Sequence, residues 1–294
     1  LVLVLFFVLL LPVLGNQLAG FLERLPEFVR SLHGLISDNF GSRLASIAGI
    51  NSEDLQASLG QLIGQGAAWM GSFAGKVWSG GQALLSILSL FVITPVVAFY
   101  LLLDWDHMIA RIDGWLPRDH LGQIRGLASE MDDAVSGFVR GQLSVCVLLG
   151  VFYAVALGFA GLNFGLLIGM GAGLVSFIPF VGAGLGFLVS LGVALVQFWP
   201  DWTMILLIGG IFAAGQFLEG NILQPKLVGE KTGLHPVTLM FALFAFGYLF
   251  GFVGMLIAVP AAAMIAVLAR FALKQYLASP IYQGAGSKDS AGGE

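Results

Sequence analysis

Charge is scarce in this chain. Thirteen Lys and Arg and seventeen Asp and Glu make up 10% of its 294 residues, where a soluble domain carries about 25%. A water-facing globular surface cannot be assembled from so few. Basic character is lacking too: the net charge is -4 and the pI ≈ 5.5, and there is no stripe of Lys and Arg to neutralise phosphates, which argues against nucleic acid as a partner. The single cysteine, Cys146, cannot close an internal disulfide and reads as a small buried hydrophobe within an apolar run. The four histidines, His33, His107, His120 and His235, are scattered without metal-ligand spacing, and each reads as a surface or capping residue. Catalytic signatures are missing as well. There is no H-E-x-x-H and no G-x-S-x-G, and Gly71-Ser72-Phe73-Ala74-Gly75-Lys76 falls one residue short of a phosphate loop and runs into Val77. No enzyme, cofactor or metal site is implied, and any active transport would have to be secondary or driven by another subunit.

What is present is apolar. At 58% hydrophobic residues and a mean hydropathy of +0.93, the sequence reads as an all-α, polytopic membrane protein with the lipid bilayer as its solvent. Residues 1–15 open at full hydrophobicity with no basic flank, so a truncated spanning helix is expected rather than a secretory leader. Residues 16–80 form an amphipathic helical region. Leu18, Phe21, Leu22, Leu25, Phe28, Val29, Leu32, Leu35 and Ile36 share one helical face, and a second amphipathic helix follows the N-cap candidates Asn51 and Ser52. A spanning helix over 81–103 carries Thr94-Pro95 and should kink there. Residues 104–140 read as an interfacial helical region, with Leu121, Ile124, Leu127, Met131, Val135 and Phe138 at three- and four-residue spacing.

Residues 141–277 form the membrane core. Spans are expected over 143–160, over 163–178 and 181–199 as a pair broken at Pro179, over 203–218, and over 237–251 and 252–276, the last broken at Pro260. Several fall short of the roughly 20 residues of a straight crossing, so discontinuous or re-entrant helices are expected. The Ser176–Gly182 stretch is either a tight turn or the tip of a re-entrant hairpin. The Gly- and Ser-rich tail, 278–294, is expected to be disordered. Most Lys and Arg fall in the 104–140 loop, the 219–236 loop and the tail, which the positive-inside rule puts in the cytoplasm, with 16–80 facing outward.

Two constellations stand out. Gly161, Gly165, Gly169 and Gly173 repeat every four residues, a small-residue ridge best read as close helix packing, with helices that slide as the functional alternative. The sharper one is the polar hinge over 216–236, QFLEGNILQPKLVGEKTGLHP. Gln216 and Glu219 share a helical face, Asn221 and Gln224 follow, and Gly220 and Pro225 are placed to end or unwind the helix. A carboxylate in or beside a lipid-spanning segment defaults to a functional reading, here the pathway of a proton, a small cation or a polar solute. The plainer reading places Glu219 at the headgroup level or in a salt bridge to Lys226. The expected backbone hinges are Pro179, Gly182, Gly220, Pro225 and Pro260.

At these residues the chain resembles the autoinducer-2 exporter family of bacterial permeases. The matching pieces are PVVAFYLLLD (95–104), Leu116-Pro117, FVRGQ (138–142), IPFVG (178–182), QFLEGNILQPKLVG (216–229), LHP (234–236) and GFVGMLIAVPAAA (251–263), in family order. The resemblance implies a helical inner-membrane protein acting as a homo-oligomer, a pentamer among the arrangements it admits. It implies export of a small polar solute, the quorum-sensing signal autoinducer-2 in the founding case. The family also holds members assigned to sodium/proton antiport, so a cation is the alternative cargo. A scaffold that transports nothing is the reading from another class. The family pattern places two further spanning helices before the segment at Leu1.

Overall fold

A computed structural model describes residues 12–32, 34, 35, 61, 65, 93–179, 181–228 and 234–283. All the regular structure among them is helical. The helices are α1 (12–32), α2 (Ile93–Leu103), α3 (Trp105–Trp115), α4 (Leu121–Phe159), α5 (Gly165–Val175), α6 (Val181–Phe198), α7 (Trp202–Leu218), α8 (Pro236–Ala278) and the short α9 (Pro280–Gln283). A 3-10 turn, Arg118–His120, precedes α4, and a π-helix, Glu219–Val228, prolongs α7. The expected amphipathic helix after Asn51, the span upstream of Ile93 and the tail beyond Gln283 lie outside the described residues, as does the run before Pro12.

Four helical runs among the described residues are long and apolar enough to cross a membrane: Arg118–Phe159, Val181–Phe198, Trp202–Val228 and Val237–Ala278. The pair α2 and α3, bent by 57° at Asp104, would make a fifth. The expected boundary at 15/16 lies within one continuous helix, α1. The amphipathic stretch and the following span, expected to part near Gly141, are likewise one helix: α4 has 39 residues, about 58 Å at 1.5 Å per residue. Its buried stripe runs unbroken through Ala134, Phe138, Gln142, Val145, Leu149, Tyr153 and Leu157. That 3.6-residue periodicity holds one face against the protein in both the charged and the apolar half. By contrast α5 has only 11 residues, about 16 Å, too short for the ~30 Å hydrocarbon core.

The chain divides into two compact units. In the first (Leu1–Trp115, Gly150–Ala172, Ala183–Ala214), the glycine ridge packs helices together. A Cβ on Gly169 would overlap the Ala154 backbone, and one on Gly165 would come within 3.0 Å of the Leu157 backbone. Those two glycines let α5 lie directly on α4, while Gly161 serves the turn at φ 70°. Tyr153 of α4 stacks on Phe212 of α7 with centroids 4.6 Å apart. The amphipathic face of α1 meets this unit: Phe21 and Phe28 set their rings against Phe164. Gln17 accepts the Leu167 N–H at 3.0 Å, satisfying one of the unpaired donors of the first turn of α5.

The second unit comprises Leu116–Leu149, Gly173–Gly182 and Gly215–Glu294. Here α8 is not one rod. Gly251 adopts φ 63°, ψ -143°, a conformation essentially confined to glycine, and the chain reverses there. A Cβ on Gly247 would lie 3.0 Å from the Met255 side chain, and one on Gly254 would overlap the Phe246 carbonyl. Residues eight apart lie about 12 Å apart along a straight helix, so these contacts require a hairpin. The first arm, 236–250, is about 22 Å long and so shorter than the hydrocarbon core. The expected division at Gly251 is therefore present. The expected break at Pro260 is not, since the helix runs through it. Glu130 and Arg270 join α4 to the second arm at 3.1 Å.

Candidate functional site

One set of polar residues of the second unit gathers where α4, the turn after α5 and the π-helix meet. Packing brings them together. Gly141, buried on α4, lies so close to the π-helix that a Cβ there would overlap the Leu227 carbonyl oxygen and stand 3.0 Å from Val228 Cα. Gly182, second residue of α6, is in similar proximity to the Ser176 backbone. These two close approaches set the next residue of α4, Gln142, against both the turn and the π-helix.

Gln142 is fully buried. Its Nε2 donates to the Ser176 carbonyl at 2.6 Å, and its Oε1 accepts from Gln224 Nε2 at 3.5 Å, the long limit for such a bond. Gln224 also reaches the Glu219 carboxylate, to which Gln216 Nε2 donates at 2.8 Å. A continuous line of polar groups thus runs from the Ser176 carbonyl through Gln142 and Gln224 to Glu219 and Gln216. Glutamine amides both donate and accept, so this line can hydrogen-bond a polar solute of either character. The half-buried carboxylate adds a group that can take a proton or a cation.

The site residues expected from sequence are partly united. Gln216, Glu219 and Gln224 belong to this line. Asn221 does not, because its amide donates back to the Phe217 carbonyl at 3.1 Å, four residues earlier on its own helix. No ion pair joins Glu219 to Lys226, which stands exposed on the π-helix. Of the two outcomes expected at Gly220 and Pro225, an end or an unwinding of the helix, the chain takes the second. The chain widens into a π-helix over Glu219–Val228 with Pro225 inside it. In an α-helix the proline ring would press on the carbonyl four residues back; the wider winding relieves that while keeping the run helical. π-Segments are rare and gather at functional sites. Pro179 stands in the turn between α5 and α6, so the chain is interrupted there. His235 caps α8 by accepting the Val237 N–H on Nδ1.

From the sequence, Gly141 and Gln142 entered only as part of FVRGQ and Ser176 only as the start of a turn; none of the three was expected at the polar site. A signal for Gln142 did exist: an amide on the otherwise apolar stripe of α4 is costly to bury unless paired.

A family model described as AI-2E family transporter matches residues 1–274. The chain belongs to the AI-2E transporter family. Among its relatives named as transport proteins, YrrI of Bacillus subtilis strain 168 is 30% identical over 266 residues, 87% of this chain and 70% of that protein. The permease PerM of Escherichia coli K12 is 32% identical over 266 residues, 87% of this chain and 67% of PerM. YueF, also of B. subtilis 168, is 24% identical over 261 residues. Helical architecture and AI-2E membership together make this chain a multi-pass membrane transporter. Two of the pieces that carried the resemblance, FVRGQ and QFLEGNILQPKLVG, are those that meet at Gly141, Gln142, Gln224 and Leu227.

Proposed function

We propose that this AI-2E family member exports a small polar solute, with autoinducer-2 the first candidate, and that the line Gln142–Gln224–Glu219–Gln216 belongs to its pathway. The observation that carries the reading is Gln142, a fully buried amide bonded to both the Ser176 carbonyl and Gln224. Burying an amide in an apolar chain is unfavourable unless it is paired, and a polar line that runs from it to a half-buried carboxylate is a usual mark of a solute or ion path. Glu219 is the ion- or proton-responsive group, and the turn at Pro179 and the π-helix are the segments that move. The working form is a homo-oligomer in the inner membrane, with the basic segments 104–140 and 219–236 in the cytoplasm. Sodium/proton antiport through the same carboxylate is the second reading, favoured by the two amides that hold Glu219.

Flux through proteoliposomes made from the purified protein separates these readings. Export of autoinducer-2 is expected, reduced about tenfold or more by Glu219→Gln, which removes the charge-assisted bonds that a carboxylate makes. Unchanged flux in that variant removes Glu219 from the mechanism. Proton movement in exchange for sodium replaces the exporter with the antiporter, and absence of any flux returns the chain to a scaffold.

A further inference from the structure

The two arms of α8 touch near Gly251 but part towards Leu234 around a cavity of ≈ 550 Å³. Its walls are apolar: Phe241, Ala245 and Phe246 on the first arm and Ala262, Ile265 and Ala266 on the second are among the residues that line it. Its mouth differs, carrying His235, Thr238 and Arg270.

We infer that this groove holds an acyl chain of an anionic phospholipid, with the lipid phosphate at the mouth. The inference does not depend on what the protein transports. Charge complementarity supports it. Arg270 presents a fork of five donors, one edge of which meets Glu130 through Nη2. Lys274, exposed one turn further along the same arm, adds a second cation. His235 accepts the Val237 N–H on Nδ1, so the neutral ring carries its proton on Nε2 and is a donor there. The Thr238 hydroxyl and the positive end of the α8 dipole lie at the same mouth. Depth agrees with this occupant. From Thr238 to Phe246 the wall is eight residues, about 12 Å, against a hydrocarbon depth of about 15 Å for one leaflet. Basic pockets between membrane helices are suited to anionic headgroups.

The test is native mass spectrometry on delipidated protein titrated with phosphatidylglycerol and, separately, phosphatidylcholine of the same acyl chains. Phosphatidylglycerol should bind about tenfold more tightly, as expected for a charge-assisted contact. Arg270→Gln should abolish most of that preference while leaving phosphatidylcholine unchanged. Ala245→Phe, which fills the groove, should weaken both lipids. Equal binding of the two lipids to the unaltered protein, a comparison that needs no variant, overturns the inference. So does Ala245→Phe that retains phosphatidylglycerol as before, or glycerol phosphate binding as well as the intact lipid. A change in subunit number in Ala245→Phe with no loss of lipid would instead make a second copy of the chain the occupant.

Discussion

Gly141→Ala tests whether the close approach of α4 to the π-helix builds the polar line. In an open helical position, Gly→Ala gains about 0.5–1 kcal/mol because glycine loses more backbone freedom on folding. Gly126, on the same helix with open space around it, supplies that reference. At Gly141 the added methyl would overlap the Leu227 carbonyl oxygen and stand 2.9 Å from its carbon. Those are backbone atoms, which cannot rotate away as a side chain would. Overpacking of this kind costs about 1–3 kcal/mol; the backbone gain is common to both helical positions and cancels, so the two variants should differ by roughly that amount, about 1–3 kcal/mol. At about 2–4 °C per kcal/mol for a chain of this order of size, that is several degrees in Tm. The assay is a thermal melt in detergent of Gly141→Ala beside Gly126→Ala, followed by flux through proteoliposomes. The first should melt lower and lose flux, because displacing Leu227 also draws Gln224 from Gln142; the second should melt slightly higher and transport normally. Equal melting temperatures with intact flux would refute the claim that this contact sets the line.

Further outcomes are expected elsewhere. Gly251→Ala places a side chain at φ 63°, ψ -143° and should lower stability by about 1–3 kcal/mol, read as a fall in Tm; Pro260→Ala, within a continuous helix, should not. Glu130→Gln removes the partner of Arg270 at half-exposed positions, so its effect should stay below about 1 kcal/mol and shrink with added salt. A large, salt-independent loss there would mean that the pair is more than a surface contact.

Much of the fold can be read before any coordinates. The face of α1 expected from Phe21, Leu25, Phe28 and Val29 is the half-buried one, because a 3.6-residue period leaves an apolar stripe nowhere else to go. The glycine ridge was legible as packing, and Gly165 and Gly169 do pack. The break at Gly251 was legible as a division between two apolar runs. Pro260 misled, and Pro225 left two outcomes open, for one reason: proline marks a place where an α-helix loses a bond, but whether the chain then stops, kinks or widens depends on its neighbours. At Pro225 it widens into a π-helix beside Gly141; at Pro260 it continues.

The sequence alone determined that the chain is helical, apolar and membrane-bound, that its ordered motifs match the AI-2E transporter family, and that Gln216, Glu219 and Gln224 are unusual for where they stand. Those properties follow from composition, periodicity and local order, which neighbours along the chain specify. Only the tertiary structure decided that Gln142 is their partner, that Asn221 is not, and that α8 folds back at Gly251 to leave a groove with a basic mouth. Gln142 and Gln224 are 82 residues apart. Their meeting depends on a missing side chain at Gly141 and a widened helix at Leu227, and local sequence reports neither in combination.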